Sequence, residues 1–320
     1  MDHEAFRSWL AQVDILTVEQ RSALNAVLAG QAPRASVTAA IQESPGNPRQ
    51  CPHCRCETSV SRGKAYGLRR FRCTDCGKTF NALTGTPLAR LRKKELWLNF
   101  GEAMSEGDTV KESAARCGVA PSTAFRWRHR FLGAAKTETK PLAGIVEVDE
   151  AFVLSSKKGE RKLDRKPRRR GGKAKKRGLS HEQIPVLVAV DRSGATLSAV
   201  LSAVTAQTIQ AVLEPAMAKD ALLVSDGNNV YPRCARALGI SHEPLNLSAG
   251  ERTRGELHIQ TVNSRHERLK TFLRQRRGIA TKYLGNYLNW FHQIGLSQTF
   301  SPRACLNAAI GSNPRTAPPI

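Results

Sequence analysis

Apolar positions recur along this chain in two rhythms, and the change between them marks its organisation. Over Phe6–Leu28 the residues Trp9, Leu10, Val13 and Leu16, then Leu24, Val27 and Leu28, fall at helical spacing. Two short amphipathic helices are predicted there, with Thr17 and Gln20 placed as a capping box for the second. A polar, Pro-containing linker follows, completing an N-terminal segment over 1–48. A basic helical pattern fills 88–140. From Gly144 the rhythm shortens. IVEVDEAFVL is a β-branched run, IPVLVAVD and ATLSAVLSAV fit buried or half-buried strands, and ALLVS is a further strand leading to Asp226. TAQTIQAVLEPAMAK, His258–Arg277 and Ala280–His292 read as helices. Strands first, then strands alternating with helices, predict a mixed α/β domain over 144–300, with 301–320 as a tail.

Charge sharpens this outline. The chain has 320 residues, enough for two or three domains, and carries 50 Lys+Arg against 27 Asp+Glu, a net charge of +23. A balance this basic fits a polyanionic partner. No run approaches the roughly 18 apolar residues of a spanning helix, and MDHEAFRSWL lacks a signal pattern. The expected location is the cytoplasm, on the nucleoid, with no membrane partner. Between the first two predicted strands, residues 157–178 hold thirteen Lys/Arg against Glu160 and Asp164. This insertion cannot bury enough apolar area to fold alone, and its single sign points to nucleic-acid contact, with Arg168, Arg169 and Arg170 at its centre.

Half of the eight cysteines fall into two Cys-x-x-Cys units, CPHC with Cys51 and Cys54 and CTDC with Cys73 and Cys76. Their separation suits two knuckles sharing one Zn²⁺, a closed and therefore structural site in a ribbon over 49–84. His53 and Cys56 are alternative ligands, but the paired spacing favours the first four. Arg69, Phe71 and Phe80 fit the strands of such a ribbon. The other cysteines are scattered, against a secreted disulfide framework.

Within 88–140, LRKKELWLNFGEAMSEG reads as a helix ending at Gly107. Asp108 or Thr109 can cap the next helix, Gly118 allows a tight turn, and Pro121 or Ser122 opens another. This is a helix-turn-helix pattern for double-stranded DNA. Ser122 and Thr123 are small enough to approach base edges, and Arg126, Arg128 and Arg130 are placed for phosphates.

The α/β region adds carboxylates. In an extended strand Glu147 and Asp149 share one face and Glu150 takes the other. Asp226 stands at a strand end before Gly227. Carboxylates so placed suit a divalent ion, and two ions can clamp the attacking and leaving oxygens of a phosphodiester displacement.

The order of zinc ribbon, helix-turn-helix, VDE, SDG and then HIQTVNSRHERLK resembles the bacterial insertion-sequence transposases of the 1595 family, from about Arg49 to Phe291. The resemblance implies an RNase H-like catalytic domain of the DDE type. It assigns Asp149, Asp226 and Asn263 to Mg²⁺ or Mn²⁺, and Lys270 to a phosphate near the scissile bond. Many family members carry Glu where this chain has Asn263, a neutral and weaker oxygen ligand. Asn263 as third ligand is the preferred reading. Glu267 supplying the charge one turn later, and a site that has lost its chemistry, are the alternatives. The implied function is cleavage at terminal inverted repeats and strand transfer to target DNA. A homodimer or larger synaptic assembly would hold the two ends. The rivals are a DNA-binding protein without catalysis and another nuclease with an RNase H-like core.

Overall fold

The computed structural model describes residues 2–13, 15–17, 20–21, 24, 37–42, 50–134, 140–168, 171–176, 178–276, 278–296 and 302–311. Two compact units emerge, one from Met1–Ala134 with Phe300–Ile320 and the other from Ala135–Thr299.

In the first unit, helix α1 spans His3–Val13. Thr17 and Gln20 make the capping box that the sequence predicts, with N–H to side-chain distances of 2.9 and 3.2 Å. Of the helix it would open, only Gln20, Arg21 and Leu24 are described as helical, and Val27 and Leu28 lie outside the described residues, as does most of the predicted linker. Strands β1 (Ser59–Ala65), β2 (Leu68–Cys73) and β3 (Thr79–Phe80) form an antiparallel sheet in that order. Three helices follow, α2 (Trp97–Ser105), α3 (Val110–Arg116) and α4 (Pro121–Ala134). Thr109 caps α3 in a reciprocal box with Glu112. Gly118, at φ 57, makes the turn into α4. Trp97, Phe100, Trp127 and Phe131 interlock in this core.

The stretch 301–320 is more than the predicted tail. Pro302–Gly311 forms a helix that buries Cys305, Leu306, Ala309 and Ile310 against this core. Its approach is close: a Cβ on Gly101 would lie 3.0 Å from Pro302.

The second unit is built on a five-stranded sheet of order β6-β5-β4-β7-β8. Its strands are β4 (Ile145–Leu154), β5 (Gln183–Asp191), β6 (Thr196–Val200), β7 (Leu222–Ser225) and β8 (Ser241–Pro244). The first three form an antiparallel meander, and β7 and β8 run parallel to β4. Helices α5 (Ala206–Leu213) and α6 (Val230–Leu238) cover one face. Helices α7 (Gln260–Gln275) and α8 (Leu284–Leu296) cover the other. This mixed, two-faced sheet is RNase H-like. The near-continuous apolar runs of β4 and β5 follow from burial on both faces. β8 (SHEP) has no such run and carries no strand signal in sequence.

Candidate active site and nucleic-acid interface

Alternation along β4 sorts its acids. Val146 and Val148 enter the core beneath α5 and α6. Glu150, on the same face, accepts a 2.6 Å hydrogen bond from the Tyr231 hydroxyl of α6. Glu147 and Asp149 point the other way, toward α7, as the alternation predicts.

The parallel register pairs Ile145 with Leu222, Val146 with Leu223 and Glu147 with Val224. Two residues further along both chains stand Asp149 and Asp226, so the two carboxylates reach the same level on neighbouring strands. Gly227 lets the chain turn away at once. Its φ is 82, and a Cβ there would sit 3.3 Å from the Leu245 carbonyl oxygen. Asp226 accepts from the Asn228 N–H at 3.1 Å.

Burial, with the charges of Asp226 and Glu150, pushes the Asp149 carboxyl up to about 7, against the N–H of Glu150 and the charge of Lys270. Glu150 is raised too, first by burial. Acids held close at this cost are the usual setting for a cation.

α7 lies over Asp149. His266 Nδ1 is 3.7 Å from Asp149 Oδ2, and burial lowers this imidazole to about 4, keeping it neutral near pH 7. Asn263 is exposed one turn earlier on the same face of the helix and is hydrogen-bonded to neither acid among the described residues. Lys270, one turn after His266, bonds Glu267 at 2.9 Å. Glu267 is therefore turned to a lysine, and the pairing holds its carboxyl below the usual range.

A groove of about 1090 Å³ runs beside this face, lined by Lys157, Lys158, Arg165, Arg168, Lys270 and Arg274 among others. Arg168 is not a free phosphate contact. It is tied to the Ser155 carbonyl at 2.5 Å and to Glu182 at 3.3 Å, closing the base of the insertion. Arg169 and Arg170 lie outside the described residues.

On α4, Ser122, Arg126 and Arg130 are exposed at successive turns and Thr123 is half-buried. Arg128 departs from the expected interface. It is 1% exposed, donating to the Asp108 carbonyl at 2.6 Å and to Ser113 Oγ at 3.0 Å. Helical spacing puts it on the inner face, where it locks α4 to the start of α3.

In the ribbon, the sulfurs of Cys51, Cys54, Cys73 and Cys76 all lie within 4.8 Å of one another. Two pairs stand at 3.6 and 3.5 Å. A tetrahedron with Zn–S of about 2.3 Å needs sulfurs about 3.8 Å apart, so the quartet can hold this ion. The Cys76 N–H, 3.5 Å from Cys73 Sγ, leads the interactions that lower the Cys73 thiol to about 6, favouring a thiolate. Cys56 instead bonds Thr58 and stands outside the quartet.

The sequence did not reveal the buried set around Glu147. Arg192 bonds it, His258 Nδ1 lies 3.2 Å away and the Val262 N–H donates at 2.9 Å. His266, expected with His258, Arg265 and Arg268 of the same predicted helix to face DNA or solvent, is instead buried against Asp149.

Known proteins place these features in context. Residues 141–292 match the family model of the ISXO2-like transposase domain, and residues 90–136 match a homeodomain-like helix-turn-helix domain. A Halobacterium salinarum protein described as an uncharacterized protein in transposable element ISH50 is 27% identical over 245 residues, covering 75% of this chain and 83% of that protein. The crystal structure of a pre-cleavage Mos1 transpososome overlaps 69% of this chain and 79% of that one, at 14% identity and a TM-score of 0.27. An overlap this slight carries no argument.

Proposed function

We propose that this chain, whose residues 141–292 match the ISXO2-like transposase domain, is an insertion-sequence transposase that binds the inverted repeats of its own element, cuts at their ends and joins them to target DNA. The observation that carries this reading is the levelling of Asp149 with Asp226 beneath α7, beside a cationic groove.

Asp149, Asp226 and Asn263 would hold Mg²⁺ or Mn²⁺. An ion held there would supply Lewis-acid polarisation of the phosphodiester and help deprotonate the attacking water or 3′-hydroxyl. Neutral His266 packs against Asp149 and keeps bulk water from that side. Lys270 exchanges its bond to Glu267 for a DNA phosphate. Exposed Lys and Arg of 157–178 hold the strand in the groove. The cysteine quartet holds Zn²⁺ and folds the ribbon, while Ser122, Thr123, Arg126 and Arg130 of α4 meet the end sequence. Joining two ends calls for a dimer or larger assembly.

The test is cleavage and strand transfer on the element's own ends with Mg²⁺ or Mn²⁺. Wild type should yield metal-dependent 3′-hydroxyl ends, and Asp149→Ala, Asp226→Ala and Asn263→Ala should not. The neutral Asn263 favours one other reading, a protein that binds ends without cutting. Specific binding by wild type with no cleavage, and cleavage gained in Asn263→Glu, would establish it.

A further inference from the structure

The parallel pairing of β4 with β7 ends at Glu147 and Val224. Asp149 and Asp226 stand two residues beyond that pair, so no ladder between these two strands sets their separation. β4 is still held at this level, since Asp149 pairs with Val188 and Glu150 with Leu187 of β5. Asp226 lies past the end of β7, which closes at Ser225, and the chain turns away at Gly227. Its place relative to Asp149 has to be fixed by side chains.

The opposite face of the sheet supplies them. Glu150 follows Asp149 and Ser225 precedes Asp226, and alternation turns both toward the face covered by α6. There the Tyr231 hydroxyl donates to Glu150 at 2.6 Å, with Tyr231 fully buried and Glu150 nearly so. The Tyr231 ring stacks on the His242 imidazole, centroids 6.4 Å apart, and His242 Nε2 is 3.0 Å from Ser225 Oγ. Tyr231 is also tied to Asp226 along the chain. The Asn228 N–H donates to Asp226 at 3.1 Å, and the Tyr231 N–H donates to the Asn228 carbonyl at 3.1 Å. A closed circuit thus runs from Asp149 to its neighbour Glu150, across to Tyr231, and back through Asn228 to Asp226.

Taking a carboxyl out of water against a single neutral hydroxyl is unfavourable, and an apolar pair of similar volume would fill the space without that cost. What the hydrogen bond adds is a defined distance and direction. Mg²⁺ demands near-ideal octahedral geometry at short metal–oxygen distances. With Asn263 neutral, Asp149 and Asp226 are the two charged ligands of the proposed site, so their spacing bears directly on how well an ion is held.

We propose that Glu150 and Tyr231 are positioning residues for the two acids: their bond, made behind the sheet, sets the separation of Asp149 and Asp226 and through it the affinity for the divalent ion. The inference rests on the reading of Asp149 and Asp226 as ligands. Neither Glu150 nor Tyr231 touches the ion or the DNA.

The experiment uses the full zinc-loaded chain and follows Mn²⁺ binding without DNA, from the electron paramagnetic resonance signal of free Mn²⁺. Tyr231→Phe keeps the ring and its packing but removes the hydroxyl, and should weaken Mn²⁺ binding about tenfold, the lower end for partners that orient metal ligands. Glu150→Gln keeps a carbonyl acceptor for the hydroxyl and should stay within about threefold of wild type. Cys234→Ala, buried on the same helix but outside the circuit, lowers stability and should leave Mn²⁺ affinity within about twofold. Single-turnover cleavage of element ends should fall in Tyr231→Phe by the same factor as Mn²⁺ affinity, while DNA affinity without added metal holds within about twofold, since no phosphate contact changes. Unchanged Mn²⁺ affinity in Tyr231→Phe overturns the proposal. So does an equal loss in Cys234→Ala, which would mark a merely structural effect, or in Glu150→Gln, which would assign the effect to the charge of Glu150 and not to the bond. Asp226→Ala separates the two readings: if it leaves Mn²⁺ binding intact, the ligand reading falls and the proposal with it, whereas binding that needs Asp226 but ignores Tyr231→Phe overturns the proposal alone.

Discussion

The buried carboxylate of Glu147 accepts a 2.9 Å hydrogen bond from the backbone N–H of Val262, tying the strand that carries Asp149 to the helix that carries Asn263. α7 has no side-chain cap of its own at Ile259. Glu147 therefore satisfies an orphan donor of its first turn from another element, and Arg192, which also donates to the Glu256 carbonyl at 2.8 Å, balances the charge. Glu147→Ala should cost about 3 kcal/mol, within the range for removing one partner of a buried pair. Glu147→Gln keeps an acceptor for Val262 and should cost less than half of that. Urea unfolding of both variants checks the relationship, and equal midpoints for wild type and Glu147→Ala would refute it.

Some of this was legible in sequence and some was not, for a physical reason. The capping box at Thr17, a cap at Asp108 or Thr109, the cysteine pairs and the opposite facing of Asp149 and Glu150 depend on residues a few positions apart. Backbone periodicity fixes such relations directly. The bond of Arg192 to Glu147 spans 45 positions and that of Tyr231 to Glu150 spans 81. Only the sheet order brings them together, and no local pattern encodes it. Arg128 was misplaced because an arginine on a basic helix resembles its exposed neighbours until the inner face of α4 is known.

That distinction separates two arginines on one helix. Arg128→Ala should destabilise the first unit by about 3 kcal/mol, since it orphans the Asp108 carbonyl and Ser113 and leaves a cavity. Arg126→Ala should change stability by less than about 0.5 kcal/mol, as exposed positions do, yet weaken DNA binding and lower its salt slope by about 1. Thermal unfolding beside binding titrations resolves the pair. Equal effects on both measurements would contradict the assignment.

The two knuckles of the ribbon share a backbone feature. The residue after the second cysteine is left-handed in each, Arg55 at φ 66 and Gly77 at φ 66. Gly77→Ala has open space for its Cβ, with Arg72 3.8 Å away, so only the backbone objects. It should cost about 1 kcal/mol and speed zinc release to a chromogenic chelator. Arg55→Gly should slow release or leave it unchanged, because relief at φ 66 offsets the added freedom of the unfolded chain.

Asp149 gives a pH dependence. Its folded carboxyl sits at about 7, above the unfolded 3.8, so the folded state binds the extra proton. The stability this group contributes is fully present below about pH 3.8 and is lost as pH rises through about 7. Dialysed free of Mg²⁺ with zinc retained, wild type should lose more stability from pH 5 to 8 than Asp149→Asn does. The difference should be about 2–4 °C in Tm per kcal/mol. Adding Mg²⁺ at pH 6 should release protons from wild type alone, measurable by calorimetry in buffers of different ionisation enthalpy. Proton release from Asp149→Asn of the same size would place the titrating group elsewhere.

Glu267 decides between two readings of the third ligand. Its side chain is 68% exposed and turned to Lys270, 2.9 Å away, not to the acids on the sheet. If Glu267 supplied the missing charge, Glu267→Gln would abolish cleavage and Asn263→Ala would be tolerated. The geometry favours the reverse. Glu267→Gln releases Lys270 from its partner and removes the acid from a cationic groove, so it should keep cleavage within about threefold of wild type, under ~0.7 kcal/mol in barrier, and tighten DNA binding by a similar factor. The tightening should fade as salt is raised, because it is an effect of one surface charge on a polyanion. Single-turnover cleavage with pre-bound DNA separates the two effects: a rate unchanged at saturation with a lower half-saturating concentration assigns Glu267 to Lys270, whereas a rate lost at saturation assigns it to the metal.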